Sequence, residues 1–102
     1  MSLFLLPPKH LDHSTAAIAT ASTLALAASE SRVYVLFIND SSVDMYLRIG
    51  ADAAVNEGVR INAEGGSYEM SIPMGNVSDL VINDIHAGVG AKNLLVLEGH
   101  NR

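Results

Sequence analysis

The pattern of hydrophobic and polar positions is clearest between residues 32 and 50. Val33 to Ile38 form an unbroken apolar run, whose length and β-branched residues predict a strand buried on both faces. From Val43 to Ile49 hydrophobic and polar positions alternate, which predicts a strand with one dry and one wet face. Between them, Asn39 to Ser42 have the side chains of a tight turn. We therefore predict a hairpin over residues 32–50, with its first strand central in a sheet.

The same signals predict further short strands before and after this hairpin. Residues 15–29 are rich in Ala, which favours a helix, but Leu24 and Leu26 lie two positions apart, and this period favours two strands with small side chains. Downstream we predict strands at 59–61, 67–72, 77–85 and 94–97, separated by glycine-containing turns. About seven or eight short strands with turns between them predict an all-β, single-domain β-sandwich or jelly-roll-like barrel.

The first 14 residues differ in character and predict an extended N-terminal arm, with the sandwich domain over 15–102. Pro7 and Pro8 fix φ and lack an N–H, which favours an extended path. An apolar run on a free terminus contributes little to a monomer. We therefore expect the arm to dock on a neighbouring chain; docking on its own domain is the alternative. The predicted interface, in the arm and the small-residue strands, is Leu3, Phe4, Leu5, Leu6, Pro7, Pro8, Ile18, Leu24 and Leu26.

Composition narrows the possible functions. The chain of 102 residues is long enough for one core, but thirteen of its hydrophobic residues are Ala, so we expect partner chains to add to its stability. A net charge of −5 argues against nucleic acid and anionic membranes as partners. The chain has no Cys, which excludes disulfides and thiolate chemistry. The run at residues 3–6 lacks a basic flank, so we expect no signal peptide, and no run reaches the roughly 20 apolar residues of a membrane span.

Candidate chemistry is sparse. His10, Asp12 and His13 are residue types that bind zinc or nickel, but His86 and His100 lie far along the sequence, so we interpret the cluster as a solvated linker and expect no metal. Other polar residues matched no known site pattern, and we interpret them as solvated: the loop residues Asp52, Asn56 and Glu57, and the scattered carboxylates Asp79, Asp84 and Glu98. A sugar platform would need Tyr34, Tyr46 or Tyr68, for which core packing is the main expectation. We predict no catalytic residue, no cofactor and no enzymatic activity.

Several turn and strand markers occur in a characteristic order. They are INDSS at residues 38–42, YLRIG at 46–50, a glycine-bounded segment at 58–66 and VLEG at 96–99. In this order they resemble small structural proteins encoded in the virion gene clusters of tailed bacteriophages, of the capsid decoration (cement) type.

This resemblance implies a function without catalysis. Decoration proteins are β-sandwich or jelly-roll domains, commonly homotrimers, that bridge major capsid proteins and stabilise the shell. It implies the major capsid protein and further copies of this chain as partners, and the outer capsid surface as location, after assembly in the host cytoplasm. The alternatives are a carbohydrate- or receptor-binding module of a head or tail fibre, and a head–tail connector or tail component.

Overall fold

The structure, a computed structural model, describes residues 9–101, and these form eight strands and no helix. The all-β prediction is therefore confirmed. The strands are β1 (His10–Ile18), β2 (Thr23–Leu26), β3 (Arg32–Asp40), β4 (Met45–Ile49), β5 (Val59–Ile61), β6 (Ser67–Ser71), β7 (Ile82–His86) and β8 (Lys92–His100). Residues 15–29, whose Ala content favoured a helix, contain the end of β1 and all of β2, as the period of two predicted, with connecting segments at 19–22 and 27–29.

The strands form two antiparallel sheets of four strands each. Sheet A has the order β1-β8-β3-β6 and sheet B the order β2-β7-β4-β5. The first half of the chain pairs with the second half in reverse order, β1 with β8, β2 with β7, β3 with β6 and β4 with β5. The β3–β8 and β4–β7 pairings then wrap this long hairpin into two facing sheets. This order is that of an eight-stranded jelly roll, as predicted.

The core lies between the sheets and contains alternate side chains of their strands. Its buried hydrophobic members are Ile18, Val35, Phe37, Met45, Leu47, Ile61, Met70, Ile82, Leu94 and Val96. Removing these side chains from water is the main stabilising contribution to such a sandwich. Ile18 is fully buried among them, so its assignment to the partner interface was wrong. The end of β1 is therefore held by packing in the core.

The hairpin predicted over residues 32–50 is also wrong, although both of its strands exist. β3 lies in sheet A and β4 in sheet B, so the polar segment between them crosses from one sheet to the other. The buried Asn39 side chain stabilises this crossing. Its Nδ2 donates to the carbonyls of Val43 at 2.7 Å and Ile61 at 2.9 Å. Ser41 Oγ donates to Asn39 Oδ1 at 2.6 Å and completes the bend. Residues 39–42 do form a turn, as predicted, but this turn connects the two sheets instead of two paired strands.

The boundary between arm and domain also moves. β1 begins at His10, five residues before the predicted domain start, and pairs with β8 from His10 opposite His100 to Ile18 opposite Lys92. Side chains 10–15 are exposed, so backbone hydrogen bonds rather than burial place this half of the strand in the sheet. The signal was therefore absent from the hydrophobic pattern. The predicted arm residues 1–8 lie outside the described residues.

Candidate functional site

The centre of the outer face of sheet A is apolar, although none of the strands in residues 9–101 packs on it. The register places two rows across it, Thr15–Leu95–Ile38 and His13–Leu97–Leu36. These six side chains line a shallow depression of about 390 Å³, and Leu95 is 37% exposed. We refer to these six residues as the outer A face. Single exposed apolar residues are ordinary on proteins, but a contiguous apolar patch marks an interaction surface.

The border of the outer A face is polar, but its Tyr34 hydroxyl stays protonated at neutral pH. Tyr34 lies in the next row of β3, and its hydroxyl donates a hydrogen bond to the Glu69 carboxylate on β6. That hydrogen bond, with partial burial and the negative charge, raises the pKa of Tyr34 to about 12, so the phenol keeps its proton at neutral pH. Among the lining residues, His13 alone has a titratable side chain. The arrangement suits packing against another surface better than bond-breaking chemistry.

The sequence contained a signal for this face that was interpreted differently. The run Val33–Ile38 predicted a strand covered on both faces, and β3 is indeed an interior strand of sheet A. Its core-facing side chains are buried, whereas Leu36 and Ile38 remain partly exposed. Leu95 and Leu97 repeat this pattern on the neighbouring strand β8. The apolar residues were visible in the sequence, but the face on which they meet depends on strand order.

A second cluster lies on the opposite face of sheet A, at the end where β1 begins and β8 ends. The cross-strand pairs His10–His100 and Asp12–Glu98 bring together two imidazoles and two carboxylates. His100 Nε2 lies 3.0 Å from Glu98 Oε1 and 3.4 Å from Asp12 Oδ2, and His10 Nε2 lies 2.8 Å from Asp12 Oδ1. We refer to these four residues as the β1–β8 cluster. His13, grouped with His10 and Asp12 in the sequence, points to the outer A face instead, because successive strand residues alternate sides.

The buried end of this cluster is held by an arginine. Arg32 Nε donates to Glu98 Oε2 at 2.7 Å, and both side chains are almost completely buried. The remaining guanidinium nitrogens donate to the carbonyls of Ser78 at 2.6 Å, Leu80 at 3.0 Å and Ala27 at 2.6 Å. A buried charge is tolerated where its donors are satisfied in this way. Arg32 therefore fixes Glu98 in one orientation and joins two loops to sheet A.

Two polar side chains of β7 face the core. His86 Nε2 lies 2.9 Å from the Ile18 carbonyl and 2.7 Å from that of Gly90, while Nδ1 accepts from the Gly88 N–H at 3.0 Å. Since both carbonyls can only accept, the proton is on Nε2, and the ring clamps the β7–β8 connection to β1. Asp84 is fully buried, and its Oδ2 has no hydrogen-bond partner among the described residues. Its burial raises the pKa of the carboxyl from 3.8 to about 6.

The remaining candidates from the sequence are dispersed. Asp84 lies in the core of sheet B and Glu98 at the end of sheet A, whereas Asp79 is exposed before β7, so they form no common site. In the loop before β5, Glu57 accepts from Arg48 at 2.9 Å and Asp52 is exposed. The interpretation as solvated residues fits the exposed Asp52, Asn56, Glu57 and Asp79. It is wrong for Asp84 and Glu98, which the pairing of their strands buries.

The tyrosines and the other predicted interface residues have mixed positions. Tyr68 packs against the core, and Tyr46 is half-buried beside a depression of about 300 Å³ that Val43, Asp44, Ala87 and Gly88 also line. Leu24 is 55% exposed on β2, whereas Leu26 packs against the core. The six interface residues from Leu3 to Pro8 lie outside the described residues.

Comparison of the chain with protein families, with curated proteins and with solved structures found no match. Residues 9–101 contain no helix long and apolar enough to cross a membrane.

Proposed function

We propose that this protein is a non-enzymatic virion structural protein that decorates a bacteriophage capsid and stabilises it by bridging major capsid proteins. The observation that carries the proposal is the exposed outer A face, with Leu36 and Ile38 of β3 beside Leu95 and Leu97 of β8. In this proposal the outer A face packs against the capsid surface. The predicted N-terminal arm docks on a neighbouring copy.

Three further observations support it. The jelly roll is an architecture found in viral capsid and lectin domains, although a fold by itself fixes no function. The markers INDSS and YLRIG resemble those of phage structural proteins, and they flank the crossing from β3 to β4. The net charge of −5 suits an outer capsid position, away from packaged nucleic acid.

The energy expected from one apolar face of ordinary size explains why several linked copies would bind better than one. An apolar patch of about 400 Å², a common size for functional patches, contributes roughly 10 kcal/mol at 25 cal/mol per Å². Association costs about 4–15 kcal/mol in lost freedom of motion, so one such face binds weakly or not at all. Two or three faces linked in a homo-oligomer bind with much higher avidity because later contacts are intramolecular. A trimer on a symmetric shell meets this requirement.

The test is stoichiometry on particles. Mass analysis of intact virions of the encoding phage is expected to find the protein at a fixed, high ratio to the major capsid protein. The double variant Leu95→Asp with Leu97→Asp should fold, by circular dichroism, yet fail to bind particles that lack the protein. Val89→Asp, which changes an 86% exposed side chain in the β7–β8 connection, is the control and should bind normally. Equal binding by both variants would refute a role for the outer A face.

A glycan-binding module is the second candidate, because Tyr46 and Asp44 line the smaller depression on sheet B. An aromatic ring beside a carboxylate can contact a sugar ring and its hydroxyls. Glycan binding that is lost in Tyr46→Ala, together with absence of the protein from capsids, would favour this function. A copy number of a dozen or fewer per particle would instead indicate a connector or tail component.

A further inference from the structure

We propose that the β1–β8 cluster is a binding site for a divalent cation of the zinc class, with Asp12, Glu98 and His100 as primary ligands and His10 as the fourth. One potential ligand atom from each of the three primary residues lies within 4.8 Å of the others. This proposal is independent of the capsid proposal. It concerns the opposite face of sheet A and needs no partner chain.

The distances between the donor atoms fit a shared ion. Zinc binds imidazole nitrogen and carboxylate oxygen at about 2.0–2.2 Å, which places neighbouring ligands roughly 3.0–3.6 Å apart in octahedral or tetrahedral geometry. His100 Nε2 lies 3.0 Å from the Glu98 oxygen and 3.4 Å from the Asp12 oxygen. These two distances already match the spacing of neighbouring ligands around one ion.

Neighbouring side chains orient two of the primary ligands, His100 and Glu98. Each neighbour contacts one polar atom of the ligand and leaves the other polar atom facing the cluster. Ser31 Oγ lies 2.9 Å from His100 Nδ1, so the ring can donate Nδ1–H to the hydroxyl and present the Nε2 lone pair to the cluster. Arg32 holds Glu98 Oε2, so Oε1 is the atom that faces His100. Outer partners of this kind fix the orientation of ligands at metal sites.

The charges also favour a cation. In the tautomer that carries the His100 proton on Nδ1, Nε2 faces the oxygens of Glu98 and Asp12 as a third acceptor, and three acceptors need a positive centre between them. Of the two carboxylates, Arg32 balances the charge of Glu98, which it contacts at Oε2. The second carboxylate, Asp12, is 52% exposed, so the cluster opens to solvent on that side and an ion can enter.

The ligand types select the zinc class. His10 is exposed, with its Nε2 hydrogen-bonded to Asp12 at 2.8 Å and its ring centroid 6.2 Å from that of His100. Rotation of this exposed side chain would bring a second imidazole to the site and complete a set of two nitrogens and two oxygens. Zinc and nickel accept this set, whereas Mg²⁺ and Ca²⁺ prefer oxygen ligands.

A bound ion would connect strand β1 to β8 where side-chain burial does not. Residues 10–15 of β1 are exposed, and among the described strands only β8 pairs with them in sheet A. The ion would cross-link the first residues of this strand to the end of β8. Because only the folded chain brings the ligands together, binding should stabilise the fold.

The experiment uses the full chain, treated with chelator and dialysed, and titrated calorimetrically with Zn²⁺, Mg²⁺ or Ca²⁺. We expect one equivalent of Zn²⁺ to bind with a Kd below about 10 μM, with a rise in Tm, and no comparable heat from Mg²⁺ or Ca²⁺. Asp12→Asn and His10→Ala change exposed side chains, so both variants should fold. We expect Asp12→Asn to weaken Zn²⁺ binding at least tenfold and His10→Ala by a smaller factor.

His13→Ala is the matched control, since His13 lies on the same strand but on the outer A face. We expect its Zn²⁺ affinity to stay within twofold of that of the unmodified chain. In the unmodified chain, Co²⁺ should give the visible spectrum of an ion bound by nitrogen and oxygen, and the imidazole NMR signals of His100 should shift. Absence of Zn²⁺ binding at 100 μM, or equal loss in His13→Ala and Asp12→Asn, would overturn the proposal.

Discussion

The buried carboxyl of Asp84 predicts an unusual dependence of stability on pH. Burial raises its pKa from 3.8 to about 6, and at 1.36 kcal/mol per pKa unit this is a penalty of about 3 kcal/mol for ionising it inside the folded domain. The folded state binds this proton more tightly than the unfolded state. Its stabilising contribution is therefore complete below pH 3.8, falls as the pH rises towards about 6, and is absent at neutral pH.

The informative perturbation is Asp84→Asn, which removes the ionisation and keeps the shape. Asn Oδ1 can still accept from the Ile85 N–H, now at 2.8 Å, but its Nδ2 replaces an oxygen that lacks a hydrogen-bond partner among residues 9–101. An unsatisfied amide costs about 1–3 kcal/mol at every pH. We therefore expect Asp84→Asn to be less stable than the unmodified protein near pH 4 and as stable or more so at pH 7.5. The difference between the two proteins should change by about 2.4 kcal/mol across this range.

The assay is urea denaturation at several pH values, extrapolated linearly and followed by far-ultraviolet circular dichroism or tyrosine fluorescence, because the chain has no Trp. Asp79→Asn changes an exposed carboxylate and is the control for lost charge. Its stability curve should run parallel to that of the unmodified protein. If the Asp84→Asn curve also runs parallel from pH 4 to 7.5, the burial argument is refuted.

Three other substitutions test the fold by the same denaturation assay. Asn39→Ala should cost about 1–3 kcal/mol, because it removes the amide that donates to the Val43 and Ile61 carbonyls at the crossing between sheets; no loss would mean that water replaces the amide. Phe37→Ala should cost about 3–5 kcal/mol by opening the core, and a loss under 1 kcal/mol would contradict its full burial. Gly58→Ala should cost at least about 2 kcal/mol, because its Cβ would lie 2.1 Å from the Leu47 carbonyl oxygen. Gly75→Ala, also at positive φ but in open space, is its control and should cost about 1 kcal/mol.

The strands could be predicted because their signals are local. Val59–Ile61 was predicted with the bounds that the structure has, and Ser67–Ser71 ends one residue before its predicted end. Between Gly58 and Gly66 the chain needs tight turns, and glycine marks them directly. The first half of β1 was missed because its exposed side chains have no hydrophobic alternation.

Strand pairing depends on residues far apart in the sequence, and the pairing predicted between the strands that became β3 and β4 was wrong. A polar turn such as Asn39 to Ser42 suits a hairpin and an arch between sheets equally well. The choice depends on Ile61, 22 residues away, whose carbonyl accepts from Asn39 in the folded domain. No feature near the turn in sequence contains this information.

The outer A face and the β1–β8 cluster also depend on strand pairing, so the sequence showed their residues but not their arrangement. Leu95 and Leu97 were visible as apolar residues, but only strand order places them beside β3 on a face that sheet B does not cover. His10 and His100 lie at opposite ends of the chain and become neighbours because β1 pairs with β8. The sequence spacing grouped His13 with His10, whereas the two-residue period of a strand separates them.

By itself, then, the sequence determined the all-β class, most strand positions, the apolar residues available for a core, and the absence of thiol chemistry. These properties follow from local periodicity, turn residues and composition. The tertiary structure alone decided which apolar residues fill the core and which form the outer A face. It also brought two histidines and two carboxylates to one end of sheet A. The physical reason is that both outcomes depend on pairing between strands far apart in the chain, which the packing of the whole sandwich selects.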